Sequence, residues 1–358
     1  MTVQKFKYFD INTALAYNGY LTFVVSVRGT GKTYSTQKKI LKKWKENGEK
    51  FLFLKRRKEE IKITAPKFWD KHQTAKMPIR YRGNTFQIGK SITHKRKDGN
   101  DVETIVWSDF GYALSLNAVS ELKGIMLDNV KLIIWDEFID IDNRYLVDEW
   151  ERILNVLEST GRMDDGVRLV ALGNETNASY LPIFDQMGLP KLGGFAKGGT
   201  KFKGGEVVVY KVDATDYIEA KKETKLGKVA RGTGYYENMI EDTAKPDILE
   251  YYLGEATFIA QTHYWICVAD KYYSVNGANI DAKDNNGKPG RIIGGYFIKE
   301  ENSLHLPKYV YALDFSMKHK PLSKGAISML WAGIVNDRVR FDKITTAGRL
   351  IPYLRPKK

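Results

Sequence analysis

The strongest chemical signal in the sequence is a glycine-rich segment that lies between an apolar run and a polar stretch with helical spacing. Residues 26–33 read Ser-Val-Arg-Gly-Thr-Gly-Lys-Thr and fit the phosphate-binding pattern G-x-x-x-x-G-K-[ST] except at the first position, where Ser26 replaces glycine. Backbone N–H groups at the two glycines and the N-terminus of a following helix would hold a phosphate. The segment therefore predicts a site for ATP and Mg²⁺, formed by Arg28, Gly29, Thr30, Gly31, Lys32 and Thr33.

Two carboxylates follow a second apolar run. Residues 132–137 read Leu-Ile-Ile-Trp-Asp-Glu, which is the Walker B pattern. Asp136 would hold Mg²⁺ directly or through water, together with the Thr33 hydroxyl, and Glu137 would polarise an attacking water. A pair of acids that caps a strand end is the alternative when this pattern stands alone.

Three further polar residues are candidates for contacts with nucleotide. Asn174 ends a predicted strand, where many ATPases of this type place a sensor of the γ-phosphate, although asparagine is also a common turn residue. Arg28 lies inside the glycine-rich loop and would contact phosphate within its own chain. Arg162 lies in a polar loop and would serve a neighbouring subunit as an arginine finger, unless it is a solvated surface arginine.

Two basic runs fit the backbone of a nucleic acid, or else a solvated face. The first run, Lys55, Arg56, Arg57 and Lys58, follows a predicted strand, and the second lies at a predicted hairpin tip. Lys58 is also a candidate for contact with nucleotide or with a neighbouring subunit. The predicted contacts with nucleic acid are Lys55, Arg56, Lys95, Arg96 and Lys97.

These residues must be positioned by a parallel sheet, because the chain begins with a strand–helix–strand unit. Strands are predicted at 21–27, 51–54, 85–93, 102–107, 131–135, 167–172 and 207–212, and helices at 32–47, 148–160 and 214–226. Residues 188–205 and 228–234 are expected to be loops. Beyond residue 246 the sequence predicts strands at 263–269, 291–298, 309–315, 327–335 and 338–341, with a turn at 284–290.

Length and charge bound the possibilities further. The 358 residues suggest about two domains, and the formal net charge is +14. Residues 1–100 carry a net +17, residues 101–150 a net −8 and the remainder a net +5. A local excess of this size favours a polyanionic partner, nucleic acid first.

The single cysteine, Cys267, excludes an intramolecular disulfide and a zinc-finger framework, and is expected to be buried. The five histidines have no ligand spacing. The longest apolar-rich stretch is half of what a membrane span needs. We therefore expect a soluble protein of a reducing, cytoplasm-like compartment that binds no membrane.

The glycine-rich loop, the run Phe51-Leu52-Phe53-Leu54-Lys55-Arg56-Arg57-Lys58, the acidic pair with Phe138, and then Arg162 and Asn174 together resemble the DNA-packaging ATPases, or encapsidation proteins, of phi29-like tailed bacteriophages. The likeness in order and spacing covers about residues 15–175, and beyond residue 200 it is one of size and layout. Ser26 departs from the usual glycine of the family.

The resemblance implies an α/β protein with an ASCE-type P-loop ATPase domain at 1–207, built on a mostly parallel sheet. A small helical linker or lid at 208–245 would follow, and then a smaller RNase H-like domain at 246–358, which would bind DNA or portal and has lost nuclease residues. It implies that Lys32 and Thr33 bind nucleotide, that Asp136 holds the metal and that Glu137 is the catalytic base. Arg162 falls where the family has its trans-acting finger, and Lys58 where it has a second trans-acting cation.

As partners the resemblance implies double-stranded DNA, other copies of the chain in a ring, typically a pentamer, and the portal of an empty prohead. A structural RNA is a further candidate partner. The expected place of action is the host cytoplasm, transiently at the prohead vertex and not in the mature virion.

Two rival functions stay open. One is a terminase-type motor with an active nuclease, for which Asp270 and Asp314 are the candidate acids. The other is a nucleic-acid-binding nucleotide switch with slow turnover. A small-molecule kinase is disfavoured by Glu137 and by the charge pattern.

Overall fold

The chain folds into two compact units. The computed structural model describes residues 6–75, 77–95, 101–118, 127–140, 145–146, 148–161, 166–174, 181–190, 192, 195–233, 236, 252–254, 256–268, 271–283, 289–302, 306–307, 309–313 and 319–355. The first unit comprises Met1–Asp142, Asp148–Thr176 and Gly194–Thr243, and the second comprises Asn143–Val147, Asn177–Gly193 and Ala244–Lys358. The division is therefore not a single cut, since two inner segments of the sequence belong to the second unit.

Helices in the described part of the chain range from 5 to 16 residues in length. In chain order they are α1 (Ile11–Leu15), α2 (Lys32–Asn47), α3 (Lys58–Thr64), α4 (Glu149–Gly161), α5 (Pro182–Met187), α6 (Thr215–Lys222), α7 (Lys225–Ala230), α8 (Lys324–Val335) and α9 (Ile344–Leu354). None of them is long and apolar enough to cross a membrane.

The first unit is built on a sheet of nine strands. They are β1 (Leu21–Ser26), β2 (Lys50–Lys55), β3 (Ile79–Arg82), β4 (Thr85–Lys95), β5 (Asp101–Ser115), β6 (Val130–Asp136), β7 (Arg168–Asn174), β8 (Gly198–Phe202) and β9 (Val207–Lys211). Their order is β3-β4-β5-β2-β6-β7-β1-β9-β8. Six adjacent strands are parallel to one another, namely β5, β2, β6, β7, β1 and β9, while β3, β4 and β8 pair antiparallel at the edges. The predicted α/β fold with a mostly parallel sheet is thereby confirmed at this level.

The central strands are mostly apolar because both faces of the sheet are covered. Every residue of β1 is buried, as are the apolar residues of β2. Phe51 is fully buried and meets Phe86 and Phe110 at ring-centroid distances of 5.2 and 5.3 Å. Burial of one such side chain is worth about 1.5–3 kcal/mol, so this aromatic cluster fixes where β2 lies in the sheet.

The second unit contains a six-stranded mixed sheet and two helices that pack on it. Its strands are β10 (Ala256–Val268), β11 (Lys271–Lys283), β12 (Pro289–Glu301), β13 (Val310–Ala312), β14 (Lys320–Pro321) and β15 (Val339–Phe341). The order is β14-β13-β10-β11-β12-β15, with β10, β11 and β12 antiparallel and the others parallel to their neighbours. Leu330 of α8 and Leu350 of α9 are fully buried in its core. Cys267 is buried on β10, as predicted.

Residues 327–335, predicted as a strand, are instead part of the helix α8. A continuous apolar run is compatible with a buried strand or a buried helix, and here local signals favour the helix. The Ser323 hydroxyl accepts the Ala326 N–H and caps the first turn, and alanine, methionine and leucine have high helix propensity.

Several other elements differ from the prediction. The strand β11 and the helix α9 were not predicted, and the expected loop at 188–205 contains β8. The expected helix at 214–226 is divided into α6 and α7, and α7 extends into the expected loop at 228–234. Thr224 caps the start of α7 by accepting the Gly227 N–H, which explains the division.

Candidate nucleotide-binding site

Three neighbouring parallel strands bring the predicted motifs to one edge of the sheet. The strands β6, β7 and β1 lie side by side, so their carboxyl ends meet there. Ser26 at the end of β1 is paired with Asn174 at the end of β7, and Asp136 at the end of β6 is paired with Leu172. The glycine-rich loop, the acidic pair and the candidate sensor are therefore adjacent.

The glycine-rich loop turns sharply between β1 and α2. Gly29 and Gly31 have φ angles of 97° and 93°, which other residues rarely adopt, and Gly31 directly precedes the helix. The buried Ser26 and Thr30 hydroxyls lie 2.9 Å apart in a hydrogen bond that closes the base of the loop. Ser26 thus has a structural role at the position where the pattern has glycine.

Lys32 is almost buried, and its ammonium group connects the loop to the neighbouring strand. Its Nζ donates to the carbonyl oxygens of Ser26 and Val27 and to Oδ1 of Asn174, each at 3.1 Å. Lys32 and Asn174 are predicted as separate candidates from the sequence, and the structure places their side chains in direct contact. A cation and an amide at this point can bind the terminal phosphates of a nucleotide.

The residues predicted to hold Mg²⁺ also meet. The Thr33 hydroxyl is 3.5 Å from Oδ1 of Asp136. Hydroxyl and carboxylate oxygens are the donors that Mg²⁺ prefers, with the remaining positions filled by water and phosphate. The donor set therefore fits this ion.

Lys55, predicted to contact nucleic acid, lies inside the site instead. Its side chain is only 1% exposed, and Nζ lies 3.0 Å from Oδ2 of Asp136 and 2.7 Å from Oε2 of Glu137. Burial by itself would lower the pKa of Lys55, but the charges of these two carboxylates raise it above its usual value. Because the side chain is buried and its ammonium is paired with two carboxylates, the structure does not place Lys55 for the predicted contact with nucleic acid.

Arg56 is buried as well, so it also departs from the predicted contact with nucleic acid. Its side chain is 2% exposed and forms an ion pair with the fully buried Glu149 of α4. Its Nη2 also donates to the carbonyl oxygen of Phe138 at 2.8 Å, and Nη1 donates to that of Glu137 at 3.3 Å. Arg56 therefore holds the turn that follows β6, which carries the acidic pair.

Glu137 occupies a strained backbone position at that turn. Its φ is 61°, in the left-handed region, which costs a non-glycine residue about 1 kcal/mol or more. The turn is fixed on its other side by Phe138, whose N–H donates to the Leu172 carbonyl at 3.2 Å. A Cβ at Gly173 would lie 2.6 Å from the Phe138 ring, so only glycine permits this approach. The exposed carboxylate of Glu137 is thereby placed beside Asp136.

The sheet edge borders a cavity of about 310 Å³ within the first unit. Its lining includes the exposed Arg28 and two residues that the sequence did not single out, Tyr34 and Lys71. The other lining residues are Gly29, Gly31, Lys32, Thr33, Asp136, Glu137, Leu172, Gly173 and Asn174. Tyr34 stacks on His72 with ring centroids 4.5 Å apart. Lys71 follows α3 in a segment without a motif, so no local pattern indicates its position.

Not every predicted site residue belongs to this group. Lys58 is exposed at the start of α3, on the helix that follows β2. Lys95 ends β4 in the long hairpin of β4 and β5. Arg96, Lys97, Arg162, Asp270 and Asp314 lie outside the described residues. Among the residues that the structure describes, no cluster of three or more His, Cys, Asp or Glu residues is arranged to hold a metal.

The fold and the site define the class: an α/β protein on a large, parallel-rich sheet, with a glycine-rich loop and an acidic pair at one strand edge. The chain belongs to the family described as Podovirus DNA encapsidation protein (Gp16), which matches residues 3–253. The resemblance inferred from the motifs is thereby confirmed.

Individual relatives agree with this family. The DNA packaging protein of Bacillus phage B103 is 28% identical over 232 residues, which cover 64% of this chain and 65% of that protein. The chain thus spans about two thirds of the length of this relative. A chain of the bacteriophage Phi-29 viral genome packaging motor assembly has a TM-score of 0.57 at 21% identity, over 98% of this chain and all of the other. A chain of the Phi-28 gp11 DNA packaging motor has a TM-score of 0.60 at 16% identity, over 98% and 99%. The two structural likenesses show a shared fold.

Proposed function

We propose that this protein is an ATP-driven translocase that packages double-stranded phage DNA into a prohead. The observation that carries the proposal is the assembly of Lys32, Asn174, Thr33, Asp136 and Glu137 at one sheet edge, in a chain of the encapsidation family. The sheet and this arrangement support an ATPase of the P-loop, ASCE type.

Each residue has a distinct role in the proposed hydrolysis. The N–H groups of the loop and the Lys32 ammonium bind the phosphates and neutralise their charge. Thr33 and Asp136 would hold Mg²⁺, which supplies further charge neutralisation when bound. Glu137 accepts a proton from the attacking water, and Asn174 positions the terminal phosphate through its amide.

We further propose that Arg28 contacts phosphate in its own chain. Lys58 and Arg162 would act on the nucleotide of a neighbouring copy in a ring, for which the family's pentamer is the expected form. The exposed position of Lys58 next to β2 supports a contact outside its own site. Mixed assemblies test this, because wild-type subunits should restore activity to an Arg162→Ala subunit if its role is in trans.

The domain roles are part of the same proposal. Residues 1–207 would form the ATPase domain, 208–245 a linker or lid, and 246–358 an RNase H-like domain without nuclease activity that binds DNA or portal. The first boundary falls inside β9, which pairs with β1, so the sheet of the proposed ATPase domain continues to Lys211. The mixed sheet of β10 to β14 supports an RNase H-like assignment. The proposed place of action is the prohead vertex in the host cytoplasm, with a structural RNA as a further candidate partner.

An ATPase assay with and without duplex DNA tests the proposal. Lys32→Ala should abolish nucleotide binding, whereas Glu137→Gln should retain binding and lose hydrolysis by about 10²–10⁴-fold, the usual contribution of a general base. Glu46→Gln on the exposed face of α2 is the matched control and should behave as wild type. Undiminished hydrolysis by Glu137→Gln would overturn the assigned base. ATPase activity that DNA does not change, with no assembly in light scattering, would favour a nucleotide switch.

A further inference from the structure

Two cavities meet beside the glycine-rich loop, and a lysine that belongs to no motif lies where they meet. A larger cavity of about 930 Å³, lined in large part by residues of α2, adjoins the one at the sheet edge. The two cavities share four lining residues, Gly29, Gly31, Tyr34 and Lys71. Lys71 is the charged residue of the four, so a ligand that extends from one cavity into the other passes its ammonium group.

The turn that carries Lys71 is fixed against α2. The buried side chain of Gln37 donates to the carbonyl oxygen of Phe68, and its Oε1 is 3.0 Å from Nε2 of His72. Two residues before Lys71, Trp69 is buried in the aromatic core of the first unit, and its carbonyl accepts the His72 N–H at 2.8 Å. The backbone on both sides of Lys71 is therefore held in place.

This position brings Lys71 to the residues that would bind phosphate and Mg²⁺. Tyr34 directly follows Thr33 in the first turn of α2, and its ring stacks on His72, the neighbour of Lys71. Lys71 accordingly lines the same cavity as Lys32 and Thr33. A cation from outside the glycine-rich loop thus faces the space in which the loop would bind phosphate.

Two buried lysines of the site are already engaged, whereas Lys71 is not. Nζ of Lys32 donates to protein oxygens, and Nζ of Lys55 pairs with Asp136 and Glu137. Within the part of the chain that the structure describes, the exposed ammonium group of Lys71 forms no ion pair and no hydrogen bond. A positive charge that no carboxylate neutralises attracts a ligand with several negative charges.

We propose that Lys71 is a phosphate-binding residue of the nucleotide site, where it adds a second lysine to Lys32. The inference rests on the proposed function, because it adds a residue to that site. Lys32 acts from within the loop and Lys71 from the turn beyond α3, so bound polyphosphate connects two separate segments of the chain.

The first test is calorimetric titration of the full-length chain with ATP and, separately, with inorganic tripolyphosphate. Loss of a hydrogen bond to a charged group corresponds to about 10–100-fold in affinity, and because Lys71 is exposed we expect the lower end, about 10-fold, for Lys71→Ala with both ligands. Lys71→Arg should retain most of the affinity, and Lys71→Gln is a second neutral variant in case Lys71→Ala folds poorly. The matched control is Lys67→Ala, because Lys67 is exposed in the same segment and lines neither cavity.

Chemical labelling of amines tests the contact directly. Acetic anhydride should acetylate both Lys71 and Lys67 in the free chain, because both side chains are exposed. Saturating tripolyphosphate should reduce the labelling of Lys71 and leave that of Lys67 unchanged. Mass spectrometry of the digested protein measures both.

The outcomes separate this inference from the function on which it rests. Equal losses in affinity for ATP and tripolyphosphate, together with protection of Lys71, support a direct contact with phosphate. If Lys71→Ala and Lys71→Gln bind both ligands like Lys67→Ala, if only ATP is affected, or if tripolyphosphate leaves the labelling of Lys71 unchanged, the inference is wrong and the proposed ATPase stands. If the folded wild-type chain binds neither ligand, the proposed function itself fails.

Discussion

The ammonium group of Lys55 contacts two carboxylates, and the proposed hydrolysis requires one of them to stay fixed and the other to move. In the proposed hydrolysis Asp136 would stay in place to hold a metal ion, whereas Glu137 would reach a water molecule beside the phosphates. Since Lys55 is buried and Glu137 is 63% exposed, the carboxylate of Glu137 is the partner that can move away. Lys55 therefore influences both the stability of the sheet edge and the position of the proposed base.

Lys55→Met tests the stability part of this role. Removal of one partner from a buried ion pair costs about 3–5 kcal/mol, and the exposure of Glu137 reduces the expected loss here to about 1–3 kcal/mol at neutral pH. The measurement is urea unfolding of both proteins. Lys43→Met, which breaks a surface pair with Glu49, should cost less than about 0.5 kcal/mol.

The pH dependence of that loss follows from the raised pKa of Lys55. A lysine whose pKa is higher in the folded state stabilises fully below the unfolded pKa of about 10.4, and the contribution disappears as pH rises through the folded value. The difference in unfolding free energy between wild type and Lys55→Met should therefore be constant from pH 7 to about 10 and shrink above it. A difference that narrows already below pH 9 would contradict the assigned ion pairs.

Residue types and spacing sufficed to single out the glycine-rich loop, Asp136, Glu137 and Asn174, which the structure brings to one sheet edge, because each motif is local in the sequence. Their roles in hydrolysis stay predictions. Residue types and spacing did not reveal that Lys55 and Arg56 are buried. In a basic run every residue has the same composition signal, and only the packing of β2 between β5 and β6 decides which side chains point inward. The contributions of Lys71 and Tyr34 were likewise invisible, since they depend on tertiary contacts.

Among the elements, α6 depends on a polar anchor at its start. The Asp213 carboxylate accepts hydrogen bonds from the N–H and hydroxyl of Thr215 and from Lys197 Nζ at 2.7 Å. These contacts lower the pKa of Asp213 to about 2. They fix the first turn of α6, whose Tyr217 hydroxyl lies against Gly29 of the glycine-rich loop.

Asp213→Asn keeps an acceptor for Thr215 but loses the charged contact with Lys197, so it should loosen α6 at neutral pH by about 0.2–1 kcal/mol, the range of an exposed ion pair. Hydrogen exchange of the amides in residues 215–222 measures it. In the wild type the same loosening should occur as pH falls from about 4 to 2, because a carboxylate with a lowered folded pKa stabilises only above that range. Asp216→Asn, one residue into the helix, is the matched control. Equal effects of the two variants would show that helix charge, and not the anchor, is responsible.

Elements with a clear hydrophobic period or with capping residues were predictable from the sequence. Elements that depend on pairing with neighbouring strands were not. The helix α2 has the predicted bounds because its apolar residues recur at helical spacing and Gly48 ends it. The strand β11 contains asparagine, glycine and serine, and it is a strand because β10 and β12 pair with it on both sides. For α8, the apolar run alone could not distinguish a buried strand from a buried helix.

Across the whole molecule, the uneven charge predicts how binding of DNA responds to salt. Contacts between lysine or arginine and phosphates release counterions, so the logarithm of affinity falls with the logarithm of salt by about 0.9 per phosphate contacted. With six such contacts, affinity for duplex DNA should fall about 10³-fold between 50 and 200 mM salt, largely without regard to sequence. Fluorescence anisotropy with two unrelated duplexes measures this. A shallow slope, or strong preference for one duplex, would contradict binding through the DNA backbone.

The covalent path of the chain links the nucleotide site to the second unit. Asn174 ends β7 in the first unit, and α5, which follows it in sequence, belongs to the second. Within that unit Oδ2 of Asp185 accepts from Nε and Nη2 of Arg349 at 2.8 and 2.6 Å. Both side chains are less than one quarter exposed, and the charge of Asp185 helps to raise the pKa of Arg349 above its usual value. The ion pair therefore holds α5 against α9 in the second unit.

Asp185→Asn and Arg349→Gln should each destabilise the second unit by about 2 kcal/mol, less than a fully buried pair because of the residual exposure. Hydrogen exchange should show lost protection in α5 and α9, with β1 and β2 unaffected. The exchanged pair, Asp185→Arg with Arg349→Asp, should recover part of the loss, since it restores opposite charges at the same two positions. Additive effects in the double variant would mean that each residue acts through other contacts, such as that between Arg349 and Glu300 at 3.6 Å. Recovery would instead show that the ion pair between Asp185 and Arg349 holds α5, the helix that follows Asn174 in sequence, within the second unit.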